Sequence, residues 1–147
     1  MDHERRRRWM SVLATAAPAS LEAAWGRIDP RPQYDLLRKP EVGLVMVRGR
    51  AGGTGMRFNL GELPVTRCSV RLDVGAVGHA WVGGRDPRHA ELAAVFDALL
   101  QDEVRRPGLE TKLIGPLAAF REAARLASAG RSAPTRVEFF TMIRGEE

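Results

Sequence analysis

The chain holds a single cysteine, Cys68, so no disulfide can close within it and a disulfide-stapled scaffold is excluded. It has no apolar run approaching the roughly 18 residues of a membrane span; runs such as Gly43 to Val47 are short. Its start, Met1-Asp2-His3-Glu4 followed by four arginines, lacks the apolar stretch of a secretory signal. These lacks point to a reducing, cytoplasmic setting. Three histidines and one cysteine show no ligand spacing such as Cys-x-x-Cys or His-x-x-x-His, so no metal site is expected. No Gly-Lys-Ser/Thr occurs, which excludes a Walker phosphate loop.

What is present is an ordinary globular composition, 44% apolar and 28% charged over 147 residues, the size of one domain. A chain of this length buries roughly 68–70% of its unfolded surface and needs no staple. Lysine occurs only at Lys39 and Lys112, so 21 of the 23 basic residues are arginine, and the formal net charge is +5. A basic balance raises nucleic acid, phosphate and acidic partners. Arginine's planar fork suits phosphate and carboxylate alike. Codon bias in a GC-rich genome accounts for the same excess, and both explanations stand.

The hydrophobic period changes twice along the chain, which reads as a single α+β domain over 1–147. In the N-terminal helical part, 1–29, Trp9, Val12, Leu13 and Ala16 share one face of a helix from Arg5 to Ala17. Its basic first turn opposes the macrodipole and is expected to fray. Pro18 is read as a stop and Ser20 as the cap of a second helix carrying Leu21, Ala24, Trp25 and Ile28. The strand-rich middle, 34–83, holds five short segments: Tyr34–Arg38, Gly43–Arg50, Met56–Leu60, Pro64–Asp73 and Ala76–Gly83. Their short connections require a mostly antiparallel sheet, of about five to six strands with a returning C-terminal strand at 136–144. The helical stretch 86–129 opens on Asp86-Pro87, a cap with proline at the first helical position. It carries the stripe Leu92, Val95, Phe96, Leu99 and Leu100, then restarts near Gly115-Pro116, for about four helices in all.

Few residues stand out as chemistry. The turn Gly52, Gly53, Thr54 and Gly55 offers successive amides for an anion nest, with Arg50 and Arg57 beside it. The same glycines suit a plain hairpin loop. Arg67 and Arg71 alternate onto the polar face of a strand whose other face carries Thr66, Cys68, Val70 and Leu72. They are candidates for phosphate or for carboxylate pairs with a neighbouring subunit. His79 has no partner that spacing alone supplies, His89 with Asp86 or Glu91 nearby reads as a capping or surface arrangement, and Cys68 reads as a small core residue. The Arg5–Arg8 run reads as a solvated tail or a partner contact. Val137–Ile143 is apolar on both faces, so it is either central in the sheet or covered by a partner, which makes Phe139, Phe140 and Met142 a candidate interface.

Taken together, these stretches resemble a known family. Trp9–Ala14, Gly43–Met46 running into Arg50–Gly55, and Phe58–Glu62 carry the resemblance, as do Val65–Leu72, Gly84–Asp86 with His89–Glu91, and Val137–Gly145. They resemble the PhnG family, the small G subunits of the bacterial carbon–phosphorus lyase core complex. The resemblance covers nearly the whole chain and is weakest between Arg105 and Arg136. It implies a role in phosphonate degradation, beside partner subunits of the H, I, J and L types, the I type most directly. In the implied reaction an alkylphosphonate displaces adenine from ATP, giving α-D-ribose 1-alkylphosphonate 5-triphosphate. Radical cleavage of the carbon–phosphorus bond falls to another subunit, with an iron–sulfur cluster and S-adenosylmethionine. The chain itself is expected to be a required subunit that is inactive alone, holding no cofactor, with ATP and magnesium as substrate of the complex. The resemblance carries no catalytic residue onto this sequence. A stand-alone phosphate- or nucleotide-binding module, or a basic nucleic-acid-binding protein, are the competing readings. Neither nucleic acid nor membrane is expected as a partner.

Overall fold

A computed structural model describes residues 2–50 and 55–132. Two helices, α1 (His3–Thr15) and α2 (Pro18–Gly26), precede an antiparallel sheet of β1 (Tyr34–Arg50), β2 (Arg57–Leu72) and β3 (Val77–Gly83). Helix α3 (Pro87–Leu99) follows. A last helical run is built from α4 (Arg106–Leu109), a π turn (Glu110–Ile114) and α5 (Gly115–Ser132). The π turn is a response to proline. Pro116 has no N–H to donate back into the helix, and just before it the Gly115 N–H reaches five residues back to the Glu110 carbonyl.

The α+β class is as expected, but the sheet has three strands among the described residues, not five or six. Tyr34–Arg38 and Gly43–Arg50 are one strand, and so are Met56–Leu60 and Pro64–Asp73, apart from their end residues. Pro40, between the two expected segments, does not end the strand. β1 is an edge strand, where a missing N–H costs no ladder bond, and register shifts at Leu36/Arg38 and Arg38/Glu41 absorb the misfit. On β2, Leu60 is the extra residue at a third shift, so Gly61 marks a bulge and not an end. The expected C-terminal strand, with Phe139, Phe140 and Met142, lies outside the described residues.

The N-terminus also differs from expectation. The first turn of α1 is capped by the Asp2 carboxylate, which accepts from the Glu4 and Arg5 amides. Two of its four arginines are held inside the chain, Arg5 by Glu110 and Arg6 by Asp97. Pro18 opens α2 at its first turn rather than merely ending α1, and Ser20 lies inside α2 without capping it. The asymmetry is physical: a first-turn proline loses only an N–H that the helix would leave unpaired.

The core forms where α3 crosses the inner face of the sheet. Cys68, Val70 and Leu72 of β2 and Ala80 and Val82 of β3 point at it, while Trp9, Val12 and Leu13 of α1 and Leu21 of α2 close its other side. The Leu92–Leu100 stripe is buried as its spacing requires, and so are Ala90, Ala93, Ala94 and Ala98 between its members. These small residues let the backbones approach. At Gly78 a Cβ would stand 1.9 Å from the Ala94 carbonyl oxygen and 2.7 Å from the Ala98 nitrogen.

One polar knot ties the layers together. Asp97, fully buried, accepts from Arg6 Nε (3.1 Å), Arg6 Nη2 (2.7 Å), Trp9 Nε1 (2.8 Å) and the His79 amide (2.9 Å). A buried carboxylate is tolerated only when its lone pairs are met, and here four N–H groups meet them. Asp97→Asn keeps the shape but removes the charge and turns an NH₂ toward donors. We expect it to cost about 3 kcal/mol, the range for breaking a buried ion pair. Urea unfolding checks this; a midpoint equal to the parent's would contradict the knot.

Candidate functional site

The outer face of the sheet, away from α3, carries Arg67 and Arg71 of the predicted site residues. Arg67 of β2 stands opposite Glu41 of β1 on one side and opposite Trp81 of β3 on the other. Its Nε donates to Glu41 Oε1 at 2.5 Å, and its guanidinium carbon lies 5.4 Å from the Trp81 ring centroid. That is a cation–π stack beside an ion pair. Arg38 donates to the same carboxylate oxygen. Hydrogen bonds from Arg38 and then Arg67 hold the Glu41 carboxyl below its usual range. Arg71 shares the face of Arg67, four residues along, and reaches Asp35 only at 3.9 Å. The sheet therefore brings Arg67 and Arg71 onto one face, and each has a carboxylate of this same chain beside it.

Between them, Ser69 Oγ lies 2.8 Å from His79 Nδ1. The pair suggests a nucleophile and its base, yet no carboxylate among the described residues stands as a third member. Asp97 takes the backbone N–H of His79, and its carboxylate is buried on the α3 side of the sheet. Ser69–His79 is thus a surface hydrogen bond without the carboxylate that orients and stabilises a catalytic imidazole.

His89 is a structural residue, in the capping arrangement expected but not at the surface. It is buried, its amide donates to the Asp86 carboxylate, and its Nε2 lies 2.8 Å from the Leu13 carbonyl. A carbonyl only accepts, so Nε2 carries the proton and the ring ties α3 to α1. Cys68 is buried with its thiol directed to the Arg38 carbonyl, and burial pushes the thiol up to about 11. It is a neutral core residue at physiological pH. Tyr34 donates to Glu91, and burial, reinforced by that bond, pushes its phenol up to about 12.

The most unusual feature is an arm. β3 pairs with β2 only from Val65 to Arg71, whereas β1 and β2 continue together to Arg50 and Arg57. Seven residues of each register beyond Gly43↔Val65 project about 20 Å past the last residue that β3 covers. Alternation places Val42, Leu44 and Met46 on one face and Val45, Val47, Leu63 and Val65 on the other. Leu44, Met46, Phe58, Leu60 and Leu63 are exposed, Leu60 at 61%. A two-stranded ribbon is marginal by itself in water, and one apolar on both faces has the composition of a strand pair buried between two surfaces. The sequence shows these segments as strands but gives no sign that nothing among the described residues covers them.

At its outer end the arm changes character. Arg50 stands directly opposite Arg57, and Arg48 opposite Asn59, all on one face. On the other face Leu60 lies over Gly49, where a Cβ would meet its Cδ1 at 2.6 Å. Of the predicted glycine turn, Gly55 is exposed at the base of the loop, and Gly52, Gly53 and Thr54 lie outside the described residues.

Elsewhere the surface offers an open cleft of about 560 Å³ between the end of α2 and α4. Arg27, Arg105 and Lys112 line it over Ala24, Ile28 and Leu109, and none of the predicted site residues faces it. Among the described residues no three of His, Cys, Asp and Glu stand together as a metal set. No described helix is long and apolar enough to cross a membrane.

Two comparisons bear on this geometry. The family profile described as "Phosphonate metabolism protein PhnG" matches residues 4–145. A protein of Rhizobium meliloti (strain 1021), named "Alpha-D-ribose 1-methylphosphonate 5-triphosphate synthase subunit PhnG", is 48% identical over 142 residues, covering 97% of this chain and 90% of that protein.

Proposed function

Because this chain belongs to the PhnG family of phosphonate metabolism proteins, we propose that it is a non-catalytic subunit of a ribose 1-alkylphosphonate 5-triphosphate synthase within a carbon–phosphorus lyase complex. The relative's name makes it a subunit, and the arm supplies the physical counterpart. A ribbon apolar on both faces, with nothing among the described residues over it, has the character of a surface that a second chain covers. That is the observation that carries the reading. The partners are subunits of the H, I, J and L types, with the I type the one that receives the arm, and the setting is cytoplasmic. A stand-alone phosphate module or a nucleic-acid binder is less consistent with a relative named as a subunit. It is also less consistent with a surface whose distinguishing feature is apolar.

In this reading the complex, not the chain, fixes ATP with magnesium and aligns a phosphonate oxygen on ribose C1 as adenine departs. That chemistry needs a pocket with donors placed for developing charge. The outer-face groups do not form one. Arg67 is already committed to Glu41 and Trp81, and Ser69–His79 has no third member among the described residues. The expected outcome of an omission experiment follows. With ATP, magnesium and methylphosphonate the purified chain releases no adenine above background. The full subunit mixture does, and leaving this chain out lowers release at least about a hundredfold. Adenine release by the chain alone, or an undiminished rate without it, would overturn the assignment.

A further inference from the structure

We infer that the basic face at the outer end of the arm, formed by Arg48, Arg50 and Arg57 with Asn59, holds the polyphosphate of the nucleotide substrate inside the assembled complex. The inference rests on the subunit reading above and adds to it a substrate-contacting surface.

The register makes the first argument. Arg50 and Arg57 are a directly opposed cross-strand pair, with Arg48 two residues along on the same face. Like charges directly opposite one another destabilise a ribbon, and nothing in the local fold calls for them. On the rest of the fold Arg5, Arg6, Arg38, Arg67, Arg88, Arg105 and Arg125 each meet a carboxylate within 3.5 Å, while others such as Arg27 and Arg85 meet none among the described residues. What sets the arm apart is the direct opposition of two arginines with no carboxylate between them. Among the described residues no carboxylate pairs with Arg48, Arg50 or Arg57. Glu62, the nearest acidic residue along the same face, forms no ion pair with them either. A local rule broken without compensation marks a place where function sets the sequence.

Burial makes the second argument. The apolar lower part of the arm enters a neighbouring chain, and the guanidinium groups at its end are carried in with it. A charge taken out of water is costly unless an opposite charge meets it. Three forks and a neutral amide on one narrow face present many N–H donors and no acceptor but the Asn59 oxygen. That set fits a ligand rich in anionic oxygens more closely than a single carboxylate. The product named for the relative carries a 5-triphosphate, a ligand of that kind. The arm holds these groups about 20 Å out from the core, so the pocket they complete belongs to the neighbouring subunit.

The test uses the assembled complex carrying Arg50→Gln with Arg57→Gln, and Arg125→Gln as a surface control. The double variant is expected to copurify with its partners as the parent does. Its KM for ATP rises at least about tenfold, with kcat at saturating ATP within about twofold. The preference for ATP over AMP falls by a similar factor, because only the longer phosphate chain reaches the arm. The variant with lysine at both positions recovers part of the loss, since charge returns without the bidentate fork. An intact complex with unchanged KM and unchanged ATP preference would overturn the assignment. Loss of copurification would overturn it too, because it would make the arginines partners of protein carboxylates. A parent mixture that needs no copy of this chain would instead sink the subunit reading itself.

Discussion

Gly78→Ala is expected to abolish the native fold. The Cβ it adds would lie 1.9 Å from the Ala94 carbonyl oxygen and 2.7 Å from the Ala98 nitrogen, both backbone atoms of the central helix. No rotamer relieves a backbone clash, so α3 must retreat by more than an ångström from β3. That would part Val70 and Val82 from Phe96 and Leu99, all fully or almost fully buried. Ordinary overpacking costs about 1–3 kcal/mol, and a backbone-on-backbone clash belongs above about 4 kcal/mol. Against a total stability of roughly 5–15 kcal/mol, that leaves little. Gly83→Ala is the control, since a Cβ there meets nothing within 4 Å. Circular dichroism and thermal melting should show Gly83→Ala near the parent and Gly78→Ala without a cooperative transition. A Gly78→Ala melt within a few degrees of the parent would mean that the α3–β3 contact is not as close as described.

Leu44→Asp combined with Leu63→Asp should break the complex and spare the chain. The two residues lie on opposite faces of the arm, and both are exposed when the chain is by itself. Surface substitutions of this kind change stability by about 0.5 kcal/mol or less. In a complex that buries both faces, each carboxylate would lose its water without gaining a partner. Copurification with the partner subunits should fall more than about tenfold while the melting temperature stays within a few degrees. Retained copurification would remove the arm from the interface, and a collapsed melt would make it part of this chain's own core.

The residues that announced themselves were those whose signals are local. Asp86-Pro87 and the Leu92–Leu100 stripe gave α3, because a cap and a helical period are written within a dozen residues. Thr66, Cys68, Val70 and Leu72 gave the buried face of β2 in the same way. Pro40 and Gly61 misled, since proline and glycine punctuate a strand identically whether it ends or bulges. The Asp97 knot was invisible: Arg6 and Asp97 stand 91 residues apart, and no period connects them. Arg67 and Arg71 were visible as polar-face residues, yet only the register shows Glu41, Trp81 and Asp35 beside them. The arm's strands could be read, but their lack of cover could not, because alternation describes a strand and not what lies against it. Arg50 and Arg57 were noticed only as neighbours of a glycine turn. Their direct opposition depends on where β2 bulges.

Hydrogen exchange on the arm amides, compared between the free chain and the assembled complex, tests the subunit account most directly. In the free chain the amides of residues 42–50 and 57–64 form a two-stranded ribbon that none of the described residues covers, so they should exchange quickly relative to β2–β3 and α3. In the complex they should slow by at least about a hundredfold, as a partner closes over both faces. The residues of α3, buried in either state, should change little. Arm amides that exchange at the same rate in the free chain and in the complex would contradict the account.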